Sequence, residues 1–209
     1  MMSATVRDDL LAAGLAVFDR VGFEGATIAA IRNRARASNG SFFHVFASKK
    51  EFAGALFLEV LGRYHAAVLA ALAPALGAAD GIDRLIRAHL DWVVTSRREA
   101  RYLFEISRSE WTEDLRDAQR AQNARLAEGI ARWRAPLVAS GELLPMADVM
   151  FISQLIGPAQ VFCRAFLSGR DRTDPRNEAD ALVACAIRAL VPAGRIKASL
   201  IDNNNGAAS

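Results

Sequence analysis

"SNGSFFHVFASKKEF", residues 38–52, is the stretch from which the fold can be worked out. Ser38 and Ser48 are each suited to begin a helix, because a serine hydroxyl accepts a hydrogen bond from a backbone amide of the first turn. Ser48 is followed three residues later by a glutamate, the spacing of a capping box. The stretch therefore predicts a short helix and, directly after it, a second one. Lys49 and Lys50 fall in the first turn of that second helix, where the helix dipole disfavours cations.

Helices are also predicted upstream of this stretch, and strands are not. Alanine, leucine and arginine dominate, and the alternation of apolar and polar residues that is typical of strands never persists. A first helix is expected from Thr5 to Val21 and is ended by Gly22, while Thr27 is a candidate N-cap for a second helix, "IAAIRNRA". Two short helices joined by a tight turn and braced by a first helix form a helix-turn-helix arrangement.

The rest of the chain is predicted to form a larger helical domain. Further helices are expected from Ser48 to just before Pro74 and then over residues 82–95, 98–107, 114–139, 147–167 and 175–191. The predicted fold is all-α, with a helix-turn-helix domain in residues 1–50, a helical bundle in residues 51–192 and a disordered tail in residues 193–209. No flexible linker separates the first two domains, so we expect their boundary inside the fourth helix, near Tyr64.

Composition narrows the functional classes. The start of the chain lacks the pattern of a signal peptide, and no apolar run approaches the roughly 20 residues that cross a bilayer, so a cytoplasmic protein is expected. The histidines and cysteines lack the spacing of a zinc site, and we expect no cofactor and no enzymatic activity. Cys163 and Cys185 lie in apolar helical patterns and are interpreted as reduced core residues. Net charge is only +3, yet residues 25–50 contain five basic residues and no acid, which indicates a phosphate-binding surface.

The third predicted helix is the candidate for the major groove of DNA. Phe42 and Phe46, four residues apart, would face the core and leave the opposite face free for bases and phosphates. An asparagine can make paired hydrogen bonds to adenine. The amides at the start of the fourth helix, together with Lys49, would form an anion site, the alternative being that both lysines are solvated. The predicted DNA-binding residues are Thr27, Arg32, Arg36, Ser38, Asn39, Gly40, Ser41, Phe43, His44 and Lys49.

This N-terminal segment closely resembles the DNA-binding domain of the TetR/AcrR family of transcriptional regulators. The matching features are Arg7, residues 10–13, Phe18, residues 22–23, Thr27, Ile31, Ser38, Gly40, Phe42, Phe46, Ser48 and Lys49. A weaker resemblance lies in "LIGPAQVFCRAFLSGR", which is similar to the segment that opens the dimer-forming helix pair of many members. The resemblance implies a homodimer in which a small molecule, entering the C-terminal domain, shifts two DNA-reading heads and releases the operator DNA.

Four positions depart from the family pattern. Arg32 stands where a small alanine is usual, and Arg36 where a turn glycine is common. A non-glycine residue with positive φ is strained by roughly 1 kcal/mol, so the turn either accepts that strain or uses another conformation. Phe43 replaces a frequent tyrosine and Val45 a frequent histidine. These departures leave open an alternative function, a helical ligand-binding dimer with weak or nonspecific binding to DNA.

Polar residues on apolar helix stripes suggest an effector pocket. His89 lies at the centre of the stripe on the fifth helix, and Gln122 at the centre of the stripe on the seventh. Buried polar groups need partners, so each either bonds a backbone carbonyl or another side chain, or orients a ligand. The second interpretation predicts an apolar or aromatic effector contacted by His89, Trp92, Tyr102 and Gln122.

The eighth helix is apolar all round, and a partner subunit would cover its second side. One side carries Phe151, Leu155, Phe162 and Phe166, and the ninth helix adds a ridge of small residues that includes Ala181 and Cys185. These six residues form the predicted homodimer interface.

Overall fold

The computed structural model describes residues 5–73, 76–106 and 115–195, and throughout these ranges the regular secondary structure is helical. The helices are α1 Val6–Gly25, α2 Ile28–Ala35, α3 Asn39–Val45, α4 Lys49–Ala70, α5 Ala78–Thr95, α6 Arg97–Ile106, α7 Arg116–Ala139, α8 Asp148–Leu167 and α9 Ala179–Leu190, with a 3-10 turn Pro175–Glu178 before α9. The all-α prediction is confirmed for the residues that the structure describes.

The chain packs into two compact units. Unit 1 contains the residues up to Tyr64 and the segment Ser96–Gln122, and unit 2 contains His65–Thr95 and the residues from Asn123 onward. The division falls inside α4, which is one uninterrupted helix, and inside α7. Unit 1 is therefore larger than the segment 1–50, because the α6 region joins it. Of the predicted tail, residues 193–195 are helical, and residues 196–209 lie outside the described part of the chain.

Helix α1 begins with a full capping box and is interrupted by a glycine. The Thr5 hydroxyl accepts the Asp8 amide at 3.2 Å, and the Asp8 carboxylate accepts the Thr5 amide at 3.1 Å. At Gly22 the backbone has φ 70° and ψ 175°, a conformation open essentially to glycine alone. The prediction that Gly22 ends the first run of α1 is borne out locally, and one further turn then runs to Gly25.

Aromatic rings hold unit 1 together. The ring of Phe18 stacks on that of Tyr102 with centroids 5.4 Å apart, and Phe46 meets Phe52 edge to face at 5.0 Å. Phe42 packs on Phe52 at 5.6 Å. Edge-to-face and offset pairs at these separations add attraction beyond burial of the rings. Helices α1, α3, α4 and α6 therefore share one core, which fixes the orientation of the short helix α3.

In unit 2, α5 presents an apolar stripe to its neighbours α8 and α9. Helix α7 packs close to α5, because Gly81 leaves room for Trp133: a Cβ added at Gly81 would lie 2.1 Å from the indole. The Trp133 indole N–H donates to the carbonyl oxygen of Leu76 at 3.0 Å, so the polar edge of the buried ring is satisfied.

A buried arginine of α7 fixes the start of α8. The Arg134 guanidinium donates to the Asp148 carboxylate at 2.6 Å and lies 4.6 Å above the centre of the Phe151 ring. Arg134 is almost fully buried, whereas Asp148 is largely exposed. The ion pair is therefore partly screened by solvent, and the cation–π contact adds to it. Arg134 thus covers the ring of Phe151, which is buried in the core of unit 2.

Within the described residues, two helices, α4 and α8, are apolar and long enough to cross a membrane on length and composition alone. In the most apolar 18-residue segment of α4, 50% is buried within the protein, as in a core helix. In the corresponding segment of α8, only 28% is buried. Helix α8 thus leaves an apolar face uncovered. Of the cysteines, Cys163 is buried, and burial raises its pKa to about 12, whereas Cys185 is exposed. The core prediction is right for Cys163 and wrong for Cys185.

Candidate nucleic-acid interface

Helices α2 and α3 and the turn between them are fixed by local hydrogen bonds. The Thr27 hydroxyl accepts the Ala30 amide at 3.1 Å, and the Ser38 hydroxyl accepts the Ser41 amide at 3.0 Å, so both predicted N-caps are present. Arg36 ends α2 with φ 55° and ψ 32°. Of the two conformations considered for this turn, the strained left-handed one is therefore the one adopted.

Helix α3 has one buried and one exposed face. Phe42 is fully buried and Phe46 nearly so, as the spacing predicts. Phe43 is 48% exposed, with its ring edge to face against Phe42 at 5.4 Å. The exposed or half-exposed residues of this face are Asn39, Gly40, Ser41, Phe43 and His44. An exposed helix face with amide, hydroxyl, imidazole and apolar groups offers both hydrogen bonds and methyl contacts to base edges.

Basic residues lie at the end of α2, next to this face in the chain. Arg34 and Arg36 are exposed, and Arg32 is half-buried, as expected if its aliphatic stem crosses apolar surface before the charge reaches water. Positive charge at the C-terminal end of a helix is favoured by the helix dipole. The dipole of α2 therefore stabilises these positive charges in the free protein, and the charges remain available to phosphates.

Lys49 has partners other than the predicted phosphate. Its ammonium donates to the carbonyl oxygens of Phe23 at 2.8 Å and Ala26 at 2.9 Å, with that of Glu24 at 3.5 Å. It also lies 4.4 Å from the centre of the Phe23 ring. An ammonium has three N–H donors, and this geometry gives each of them an acceptor within unit 1.

The cap of α4 also differs in detail from the predicted box. The Ser48 hydroxyl accepts the Glu51 amide at 3.1 Å, as predicted. The Glu51 carboxylate, however, accepts the amide of Ala47 at 2.8 Å, one residue before the N-cap. The carboxylate therefore ties the link between α3 and α4 to the first turn of α4.

The four predicted effector residues fall in different units. Tyr102 and Gln122 belong to unit 1, where both donate to carbonyl oxygens of α4: the Tyr102 hydroxyl to Ala53 at 2.8 Å and the Gln122 amide to Leu58 at 3.0 Å. Burial raises the pKa of the Tyr102 hydroxyl above its usual value. Gln122 thus has a backbone carbonyl as its partner, which was the alternative to contact with a ligand, and the Tyr102 hydroxyl has one as well.

His89 and Trp92 are buried on α5 in unit 2. Burial lowers the pKa of His89 to about 4, so its imidazole is neutral at physiological pH. A neutral imidazole carries one donor and one acceptor nitrogen. Such a group can orient a polar atom of a ligand without presenting a charge to it.

The structure contradicts the predicted dimer surface at two residues and leaves the other four as a prediction. Phe151 and Leu155 are each 1% exposed and belong to the core of unit 2, so their assignment to the interface is wrong. Phe162 and Phe166 are half-buried, and Ala181 and Cys185 are exposed on α9, where a second chain could reach them. Three further apolar residues of α8 are exposed and were not among those predicted for the interface: Val149, Met150 and Val161.

Comparison with known proteins agrees with this arrangement. Residues 10–56 match the model of the bacterial regulatory proteins of the tetR family, a segment that includes α2, α3 and the start of α4. No curated protein matches the chain significantly. Among the described residues, no group of three or more histidine, cysteine, aspartate or glutamate side chains could hold a metal ion.

Solved structures extend the likeness to the whole fold. A bacterial regulatory protein in the tetR family from Rhodococcus RHA1 is 22% identical, with a TM-score of 0.69 over 89% of this chain and 97% of that one. A TetR family transcription regulator from Marinobacter aquaeolei VT8 is 18% identical, with a TM-score of 0.71 over 89% and 95%.

A third similar structure is FadR from Bacillus subtilis in complex with stearoyl-CoA, which is 13% identical and has a TM-score of 0.71 over 86% of this chain and 96% of that one. At these identities the likeness concerns the fold. The match to the tetR family is confined to residues 10–56, where the helix-turn-helix is formed and capped. The chain is thus similar to TetR family transcription regulators, by sequence in this N-terminal segment and by fold over about nine tenths of its length.

Proposed function

We propose that the protein is a cytoplasmic, homodimeric repressor that reads its operator with α3 and releases it when a small apolar or aromatic molecule binds. The observation that carries this proposal is that α3 has one buried apolar face and one exposed face. Its phenylalanines Phe42 and Phe46 anchor the helix in an aromatic core, while its opposite face stays exposed. A short helix held rigidly with free polar groups is what base reading in the major groove requires.

The roles of the DNA-facing residues follow from their chemistry. The Asn39 amide can bond adenine in paired fashion, and the exposed ring of Phe43 can pack on a thymine methyl group. The N-terminal turn of α3 and the hydroxyl of Thr27 suit phosphate oxygens, since backbone amides and hydroxyls contribute many of the contacts to the DNA backbone. Arg36 adds charge, which makes binding dependent on salt.

Dimerisation is proposed on the exposed apolar face of α8 with the small-residue face of α9. Val149 and Val161 of α8 are 76% and 71% exposed, values unusual for large apolar side chains. Ala181 and Cys185 provide a low ridge on α9 against which a second helix could approach closely. Two copies of α3 would then meet successive major grooves, with half-site centres about one helical turn or a multiple of it apart.

An effector would act through its differential affinity for two states of the dimer. Helix α4 belongs to both units without interruption, so a displacement imposed on its second half in unit 2 is transmitted to its first half in unit 1. His89 is the candidate orienting group for the effector in unit 2. The B. subtilis FadR structure contains stearoyl-CoA, whose acyl chain is apolar although its coenzyme A part is charged, and so it supports an effector with an apolar portion.

The alternative, a ligand-binding dimer with weak or nonspecific DNA binding, is less well supported. It rests on the unusual Arg32 and Arg36. The turn nevertheless closes with Arg36 in the left-handed conformation, and both helices keep their side-chain caps. The reading helix is therefore built and exposed despite the substitutions.

The test is selection of binding sites from a random duplex library, followed by footprinting. We expect a near-palindromic protected site and a steep fall in affinity with salt. Apolar and aromatic metabolites are then screened by thermal shift, and those that bind are tested for release of the selected duplex. Linkage requires the duplex to weaken effector binding by the same factor. Equal affinity for selected and random duplex would refute the specific regulator, and an effector that never changes DNA affinity would refute the coupling.

A further inference from the structure

The Lys49 ammonium donates hydrogen bonds to backbone carbonyl oxygens at the end of α1. Its bonds to the carbonyl oxygens of Phe23 and Ala26 are 2.8 Å and 2.9 Å long, and both are partly buried. The Phe23 ring covers the charge from 4.4 Å. Charge-assisted hydrogen bonds are about twice as strong as neutral ones, and partial burial reduces competition from water.

The acceptors are available because of the break at Gly22. The backbone there leaves the helical conformation, with φ 70° and ψ 175°, and resumes one short turn. The carbonyl groups at the end of this turn lack a following helix whose amides could bond them. The Phe23 carbonyl accepts the Ala26 amide at 3.3 Å, a long bond that leaves capacity for the ammonium. The sequence "GFEGA", residues 22–26, therefore presents the carbonyl groups that Lys49 binds.

The helix dipoles explain why a lysine stands in the first turn of α4. A cation there is disfavoured by the dipole of α4 but favoured at the C-terminal end of α1. The ammonium lies at the carbonyl oxygens at the end of α1, so direct hydrogen bonding to α1 outweighs the weaker repulsion from the dipole of α4. The charge is thus explained without a bound phosphate.

We propose that Lys49 is a positioning residue for DNA reading: it fixes the start of α4 on the end of α1 and so sets the orientation of α3. The proposal rests on the proposed DNA-binding function. Only Phe46, Ala47 and Ser48 separate α3 from α4, and the Glu51 carboxylate bonds the Ala47 amide within this link. A shift of the first turn of α4 therefore moves the C-terminal end of α3.

A phosphate ligand and a positioning residue predict different salt dependence. Replacing a phosphate ligand lowers the slope of log K against log salt by about 0.9 for each lost contact. Replacing a positioning residue leaves the phosphate contacts in place and impairs the fit of α3 to bases. We therefore expect Lys49→Met to keep the wild-type slope and its affinity for random duplex, and to lose affinity for the selected duplex by about tenfold, the order of one lost base contact.

Two further variants complete the experiment. Lys49→Arg keeps a cation that suits phosphate at least as well, but its donors diverge in one plane, whereas the three carbonyl oxygens converge on the single nitrogen of Lys49. It should therefore fail to restore specific affinity. Lys50→Met removes one charge from the same turn and none of the Lys49 bonds, and should keep the preference for the selected duplex. All binding is measured on the full chain at a temperature at which circular dichroism shows each variant folded.

The outcomes separate the possibilities. A reduced slope with Lys49→Met, and restored affinity with Lys49→Arg, would show that Lys49 is a phosphate ligand and overturn the proposal. Loss of thermal stability with unchanged affinity for both duplexes would reduce Lys49 to a structural role and overturn it as well. A wild-type protein without preference for the selected duplex would instead refute the proposed function, and the positioning role with it.

Discussion

Replacing Arg36 by glycine should stabilise the protein and at the same time weaken its binding to DNA. Arg36 is the non-glycine residue with positive φ among those described, at φ 55° and ψ 32°, and its side chain is exposed. The left-handed conformation costs a non-glycine residue roughly 1–2 kcal/mol, because Cβ crowds the carbonyl oxygen. Strain of this kind clusters at functional sites, and the proposed function of Arg36 is to place a cation beside α3.

The size of the effect can be worked out. Glycine removes the strain, but its greater conformational freedom in the unfolded chain lowers the free energy of unfolding by roughly 0.5–1 kcal/mol. The net gain in the free energy of unfolding therefore lies between about 0 and 1.5 kcal/mol, and its central value of about 0.75 kcal/mol corresponds to about 1.5–3 °C in Tm for a chain of this length. In the proposed homodimer, two copies of Arg36 would each contact a phosphate, so loss of both contacts should lower the salt slope of DNA binding by about 1.8.

Arg36→Ala is the matched control, because alanine removes the same charge and keeps the left-handed strain. Thermal and urea unfolding should place Arg36→Gly above Arg36→Ala in stability. Titrations of the selected duplex at several salt concentrations should show the same reduced slope for both variants. Equal stability of the two would contradict the strain argument, and an unchanged slope in both would show that Arg36 does not contact phosphate.

Three further predictions test the other surfaces. Val161→Glu, on the exposed face of α8, should yield monomer in sedimentation, whereas Val6→Glu, an exposed valine of α1, should leave the dimer intact; a dimer that survives Val161→Glu would place the interface elsewhere. Phe43→Ala, and replacement of operator thymines by uracil, should each weaken specific binding by about 1 kcal/mol, and the two losses should not add if the ring packs on a thymine methyl. Burial lowers the pKa of His89 from 6.5 to about 4, so the unfolded chain binds more protons between these values and the free energy of unfolding should fall as pH drops through this window, by up to roughly 3 kcal/mol. His89→Leu should flatten this dependence in pH-dependent urea unfolding, while His44→Asn on the exposed face of α3 should keep it.

The sequence was sufficient for features set by neighbouring residues. The caps at Thr27 and Ser38 bond amides three residues away, so the limits of α2 and the start of α3 could be predicted without tertiary information. The spacing of Phe42 and Phe46 likewise defined the buried face of α3, and with it the exposed one. Short-range hydrogen bonds and helical periodicity explain why the reading helix was predictable.

Longer-range features depended on packing that no local pattern encodes. Lys49 bonds carbonyl groups more than 20 residues upstream, so its sequence neighbours could suggest only phosphate or solvent. Helix α8 is apolar on every side, and periodicity gives no basis for choosing which side is buried. Arg134 contacts the buried ring of Phe151, whereas Val161, further along the same helix, is exposed. Burial of one face depends on a partner element distant in sequence, and only the folded chain brings the two together.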